Sequence, residues 1–185
     1  TCALPHILEK IEIKLSDRFF SWGWKEGNKK ISPLFLQKTI YQKINKKNNA
    51  AGLIIPISET YLCPGTHVNT GNPTNKMEVN KLIDNIVLFL SQINQSILNN
   101  SGFKYLESIK CHYVLKSLKF KFPNFKFINS IKNTCEISNS FRLTVETANS
   151  SGFLESLNLN IPIIFIYDKK YCSLRKSAIK DFEML

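Results

Sequence analysis

Acidic residues are in short supply: 14 Asp and Glu stand against 25 Lys and Arg, a formal net charge of +11 over 185 residues. Two causes give such a balance. One is attraction to a polyanion, whether nucleic acid, acidic lipid headgroups or a phosphorylated substrate. The other is a background rich in Lys, Asn and Ile together, as AT-rich coding produces. Lysines spread from Lys10 to Lys180 favour the second, and only Lys116, Lys119, Lys121 and Lys126 form a dense group. Also missing is any run of the roughly 18 to 20 apolar residues a membrane-spanning helix needs. The N-terminus lacks the basic-then-apolar layout of a secretory signal. A soluble, cytoplasmic chain is the expectation. The five cysteines, Cys2, Cys63, Cys111, Cys135 and Cys172, never pair as C-x-x-C, which argues against a disulfide framework and a zinc knuckle. Cys63-x-x-x-His67 has no second ligand pair at a suitable distance, so no metal site is expected. No internal repeat stands out.

What is present is enough apolar sequence, 43% of residues, to bury one core of ordinary domain size. "ALPHILEKIEIKL" places Leu4, Ile7, Leu8, Ile11 and Leu15 at helical spacing and predicts a helix covering a core. "SDRFFSWGWKEGNKKISP", closed by Pro33, reads as a connecting loop. "LFLQKTIYQKINKKNN" is a weak helix or an extended arm. "AGLIIPIS" predicts a strand buried on both faces, followed by a long loop, "ETYLCPGTHVNTGNPTNK", of a length that is usually functional. "MEVNKLIDNIVLFLSQINQSIL" is the clearest helix, with apolar residues from Val79 to Ile93 three and four apart. "SIKCHYVLK" and "FKFIN" are expected strands, with a helical turn near Cys135–Ser138. "FRLTVE" is a strand, a helix starts at Ser150 or Ser151, "IPIIFIYD" is a strand, and "SLRKSAIKDFEML" returns to helix.

Alternating short strands and helices imply an α/β domain with a mainly parallel, Rossmann-like sheet. The expected division is 1–48 for an N-terminal helix, aromatic loop and arm, and 49–185 for the sheet domain. A start at Thr1 and a stop inside a helical pattern suggest a piece of a longer chain. Right-handed crossovers put the strand-to-helix turns on one rim, where ligands of such folds collect. The turn Asn149-Ser150-Ser151-Gly152 is one of these. Small capping residues expose helix amides and a positive dipole end suited to phosphate, although the same residues serve as an ordinary cap. Glu155, one turn further along, can grip sugar or ribose hydroxyls, or simply be solvated. The lysines from Lys116 to Lys126, interleaved with Phe120, Phe122, Phe125 and Phe127, fit either a nucleic-acid surface or an amphipathic element with phenylalanines inward.

The segment from "ETANSSGFLESLNLNIPIIFIYD" to "SLRK" resembles the C-terminal signature of a bacterial family of surface-carbohydrate transferases with the two-domain GT-B architecture. The matching residues are Asn149 to Gly152, Phe153-Leu154-Glu155, Asn160-Ile161-Pro162, Ile163 to Ile166, and Leu174-Arg175; "FFSWGWK" matches an upstream aromatic segment. The resemblance implies a nucleotide-sugar glycosyltransferase acting on a glycan or lipid-linked acceptor, with no cofactor and no obligatory metal. It implies donor contacts from Asn149, Ser150, Ser151, Gly152, Glu155 and Arg175. Where the family has a strand arginine, this chain reads Lys110-Cys111-His112-Tyr113, which would pass the phosphate clamp to Lys110 or Lys116. His67 is the local candidate for general base. Peripheral contact with the inner face of a membrane is a further expectation. A nucleic-acid-binding module and a non-catalytic remnant of a transferase stay open as alternatives.

Overall fold

The computed structural model of the chain describes residues 7–22, 24–25, 27–34, 51–57, 76–106, 112–130, 134–138, 140–147, 151–166, 179–180 and 183. Its centre is a five-stranded parallel sheet built from β3 (Leu53–Pro56), β4 (Gly102–Tyr105), β5 (Lys126–Asn129), β6 (Leu143–Glu146) and β7 (Ile163–Phe165). The strands lie in the order β5-β4-β3-β6-β7. The chain therefore winds outward from β3 through β4 to β5, then returns to the other side of β3 and winds outward again. This order is Rossmann-like, and its direction reverses between β3 and β6.

Winding in opposite directions with one handedness puts the two sets of connecting helices on opposite faces. One face is covered by α2 (Lys76–Ser91) and α4 (His112–Lys121). Val79, Ile83, Ile86 and Leu90 of α2 and Val114 and Leu118 of α4 meet Leu53, Ile55, Phe103 and Val145 in the main core. A short helix, α3 (Gln95–Leu98), leads into β4. The other face receives α6 (Ser151–Asn158), whose Phe153 packs with Ile163 and Phe165. α5 (Thr134–Ser138) joins this face through Thr144 Oγ1, which donates to Ser138 Oγ at 2.9 Å. Strand alternation explains the split along β7: Ile163 and Phe165 serve α6, while Ile164 and Ile166 serve the main core.

The entry to β3 is equally specified. Gly52 takes φ +83° against the Asn100 carbonyl, a place no side chain would fit. Leu53 N donates to Ser101 Oγ at 2.8 Å, and Ser101 Oγ donates to Ile97 O at 2.8 Å. These contacts tie the start of β3 to the turn before β4.

Three expectations need correction. Residues His112–Lys121 are helix α4, not a strand, and the strand is Gly102–Tyr105 instead. Val114, Leu115 and Leu118 form a helical stripe that the β-branched and aromatic content of "SIKCHYVLK" disguises. The aromatic segment is not all loop: β1 (Phe19–Trp22) and β2 (Ile31–Leu34) pair in parallel. Four-residue strands show too little periodicity to be seen, and Pro33 is tolerated because a two-stranded sheet consists of edges. The first helix, α1 (Ile7–Leu15), is present, but Ile11 and Leu15 are 47% and 80% exposed. At these two positions helical spacing did not bring burial. The arm after Leu34 and the long loop after Ile57 lie outside the described residues. In the last segment, Ile179 and Lys180 are helical, and Glu183 N donates to Ile179 O. No helix among the described residues is long and apolar enough to cross a membrane.

Candidate functional site

The sheet opens at its carboxyl edge between β3 and β6. Neighbouring pairs run on to Pro56↔Lys104 and Glu146↔Phe165, but the β3–β6 pairing ends at Ile54↔Thr144. Pro56 supplies the cause. Ile57 N donates to Lys104 O of β4 at 2.8 Å, so by alternation the preceding nitrogen faces β6. Proline has no hydrogen to donate there. The opening falls at the topological switch point, the position where open α/β sheets bind ligands.

A row of side chains crosses this opening on the α6 face. Extending the Ile54↔Thr144 register by two residues sets Glu146 level with Pro56, which is paired with Lys104. Glu146 is 2% exposed, and its Oε1 has no hydrogen-bond partner among the described residues. Burial pushes its carboxyl up from 4.5 to about 8; the Lys104 ammonium pulls the other way, and the Glu155 carboxylate adds to the rise. Glu155 comes from α6 and is 3% exposed. Two buried carboxyl groups, from β6 and α6, therefore lie in a corner beside the opening with a half-buried lysine from β4. A neutral acid at Glu146 can both donate and accept a hydrogen bond, and the carboxyl oxygens of Glu155 accept. Together they suit a ligand rich in hydroxyl groups.

α6 is set against this corner by signals at both ends. It begins at Ser151, with Gly152 half-buried next to it. It ends in a Schellman motif: Asn160 takes φ 53°, Asn160 N donates to Leu157 O at 2.9 Å, and Ile161 N donates to Ser156 O at 2.9 Å. Leu159 and Ile161 pack together beneath this turn, and Pro162 prevents the helix from continuing. The Asn160-Ile161-Pro162 break in the sequence is this cap.

Of the expected site residues, the structure brings Gly152 and Glu155 to the switch-point end of the sheet, with Ser151 as the first residue of α6. Glu155 is buried rather than solvated. Lys116 is exposed on α4, across the sheet from α6. His67, Lys110, Asn149, Ser150 and Arg175 lie outside the described residues. Glu146 and Lys104 went unread in the sequence. The available signal was a glutamate closing the apolar strand "RLTVE" in phase with Thr144. A separate cavity of about 460 Å³ lies between α1 and β2, lined by Lys10, Ile13, Lys14, Asn28, Lys30 and Ile31, and shares no residue with this corner.

The sequence profile described as LIC12162 family transferase matches residues 2–185, nearly the entire chain. The chain belongs to the LIC12162 transferase family. No curated protein and no solved structure matches it. Membership makes the reaction class group transfer. The family's description says nothing of the group moved or its acceptor.

Proposed function

We propose that this LIC12162-family chain is the donor-binding part of a nucleotide-sugar-dependent glycosyltransferase of GT-B type, working in the cytoplasm on a glycan or lipid-linked acceptor. The observation that carries the reading is the buried Glu146–Glu155 corner beside the sheet opening at the switch point. Parallel α/β sheets accept nucleotides at that position, and paired carboxyl groups match the vicinal hydroxyls of a sugar or a ribose. The resemblance of Asn149 to Gly152 and Phe153-Leu154-Glu155 to the surface-carbohydrate transferases supports the same reading.

In the transfer, the acceptor hydroxyl oxygen forms a bond to the anomeric carbon of the sugar. The bond from that carbon to the diphosphate breaks, the electron pair leaves with the diphosphate, and the acceptor proton passes to a base. Negative charge grows on the diphosphate, where the positive dipole end at the start of α6 stabilises it. Glu146 and Glu155 hold donor hydroxyls, so that the anomeric carbon stays aligned with the acceptor. Ser150 and Arg175 are further candidates for the diphosphate, and His67 is the candidate base. The donor is a substrate, and the reading requires no bound cofactor.

Thermal-shift screening with UDP, GDP, CDP and CMP, alone and as sugar conjugates, tests the reading. One nucleotide raises Tm by several degrees at about one hundred times its Kd, since such saturation adds about 2.7 kcal/mol. Glu155→Gln and Glu146→Ala reduce the shift given by the sugar conjugate more than that given by the bare nucleotide. The absence of a shift with every compound overturns the proposal.

A further inference from the structure

The outer surface of the α2–α4 layer is the part of the molecule that the transferase reading leaves unused. Phe120 stands 87% exposed on α4, although Val114, Leu115 and Leu118 of the same helix are buried. At 100° per residue, Tyr113, Lys116 and Phe120 share the solvent side, with Lys119 and Lys121 flanking it. α4 contains no acidic residue. On α2, Met77 and Leu88 are 71% and 61% exposed, and they lie on one stripe with Lys81 and Asp84.

Side-chain contacts join the two stripes into one surface. Tyr113 Oη donates to Asn80 Oδ1 at 2.5 Å, and Lys76 Nζ sits 5.2 Å from the Tyr113 ring centroid. At the other end Lys121 Nζ and Asp84 Oδ1 are 3.5 Å apart. Leu88 is one turn beyond Asp84 on the same stripe of α2.

We propose that this face docks on an anionic lipid bilayer, with Phe120, Leu88 and Met77 entering the interfacial region and the surrounding lysines meeting the headgroups. Exposed apolar side chains bordered by an excess of lysines over acidic residues match an interfacial surface. A single-stranded nucleic acid is the poorer fit, because it needs successive aromatic faces. Phe122, Phe125 and Phe127 turn inward on Phe103, with ring centroids 5.9, 4.7 and 5.3 Å away. Met77 and Leu88 offer bases no ring, yet both suit acyl chains. The proposal does not depend on the sugar donor, as the face lies across the sheet from Glu155.

Flotation of the 185-residue chain with vesicles tests it. The chain floats with vesicles of phosphatidylcholine mixed with phosphatidylglycerol, and stays behind with phosphatidylcholine alone. Lys116→Gln combined with Lys119→Gln weakens partitioning by more than tenfold, at about fivefold per lysine. Phe120→Ser weakens it at unchanged charge. Circular dichroism melts show that each variant is folded. Lys10→Gln with Lys14→Gln, on α1, leaves binding intact. Absence of flotation, an equal loss from the α1 pair, or displacement of the vesicles by oligouridylate through the same Phe120 and lysines would each overturn the proposal.

Discussion

Glu146 sets a conflict between fold and charge at a single residue. Its carboxyl titrates at about 8 in the folded chain against an ordinary 4.5, mainly because burial opposes ionisation. The folded state therefore holds this proton more tightly than the unfolded state. The contribution is fully stabilising below about 4.5 and is lost as pH rises through about 8, at a slope of up to about 1.4 kcal/mol per pH unit. Other carboxyl groups add their own slopes, so a comparison isolates this one. Between about pH 5 and about 8, Glu146→Gln loses less Tm than the parent chain does, and it is the more stable of the two at the alkaline end. Parallel melting curves that differ by a constant would rule out the buried proton. Under the proposed function, a bound donor would add a second effect at the same residue: hydroxyls partnering Oε1 would diminish the difference between the two proteins.

At the scale of elements, α6 and β3 each depend on one residue of special backbone chemistry. Asn160 occupies the left-handed region at the end of α6. Asn160→Gly is near neutral there, while Asn160→Val costs about 1 to 2 kcal/mol, measurable by urea denaturation. If both variants proved equally stable, the cap would not hold α6 in place. For β3, Pro56 withholds the donor that would close the ladder to β6. Pro56→Ala restores it, and the new amide is expected to be protected in hydrogen exchange as the opening narrows. Rapid exchange at that amide would mean that something other than proline keeps the strands apart. These features differ in how plainly they could be read. Asn160-Ile161-Pro162 announces a helix stop because αL geometry and proline are local requirements. Pro56 reads only as the end of an apolar run until its neighbours are known.

For the molecule as a whole, Phe103 is the point where β4, β5 and α4 meet. It is fully buried among Phe122, Phe125 and Phe127. Phe103→Ala is expected to cost about 3 to 5 kcal/mol, read from the midpoint of chemical unfolding. Phe120→Ala, on α4, costs under about 0.5 kcal/mol because its ring lies in water. The two phenylalanines look alike in sequence, and only packing separates them. The same holds for β4: "GFKY" is too short for periodicity, and it becomes a strand because Ile54 and Ile55 on one side and Lys126 to Asn129 on the other supply its hydrogen-bonding partners.

Sequence alone determined the class of fold, the positions of β3, α2, β6, α6 and β7, and the rim on which the strand-to-helix turns lie. Those conclusions rest on local physics: the 3.6 and 2.0 periods of buried faces, caps, proline, and the handedness of crossovers. Tertiary structure decided what occupies that rim. Glu146, Glu155 and Lys104 are remote or unremarkable along the chain, and parallel register together with the docking of α6 brings the two buried carboxyl groups together beside a half-buried lysine. Burial and electrostatic coupling are sums over neighbours, and neighbours are fixed only when the sheet has closed around them.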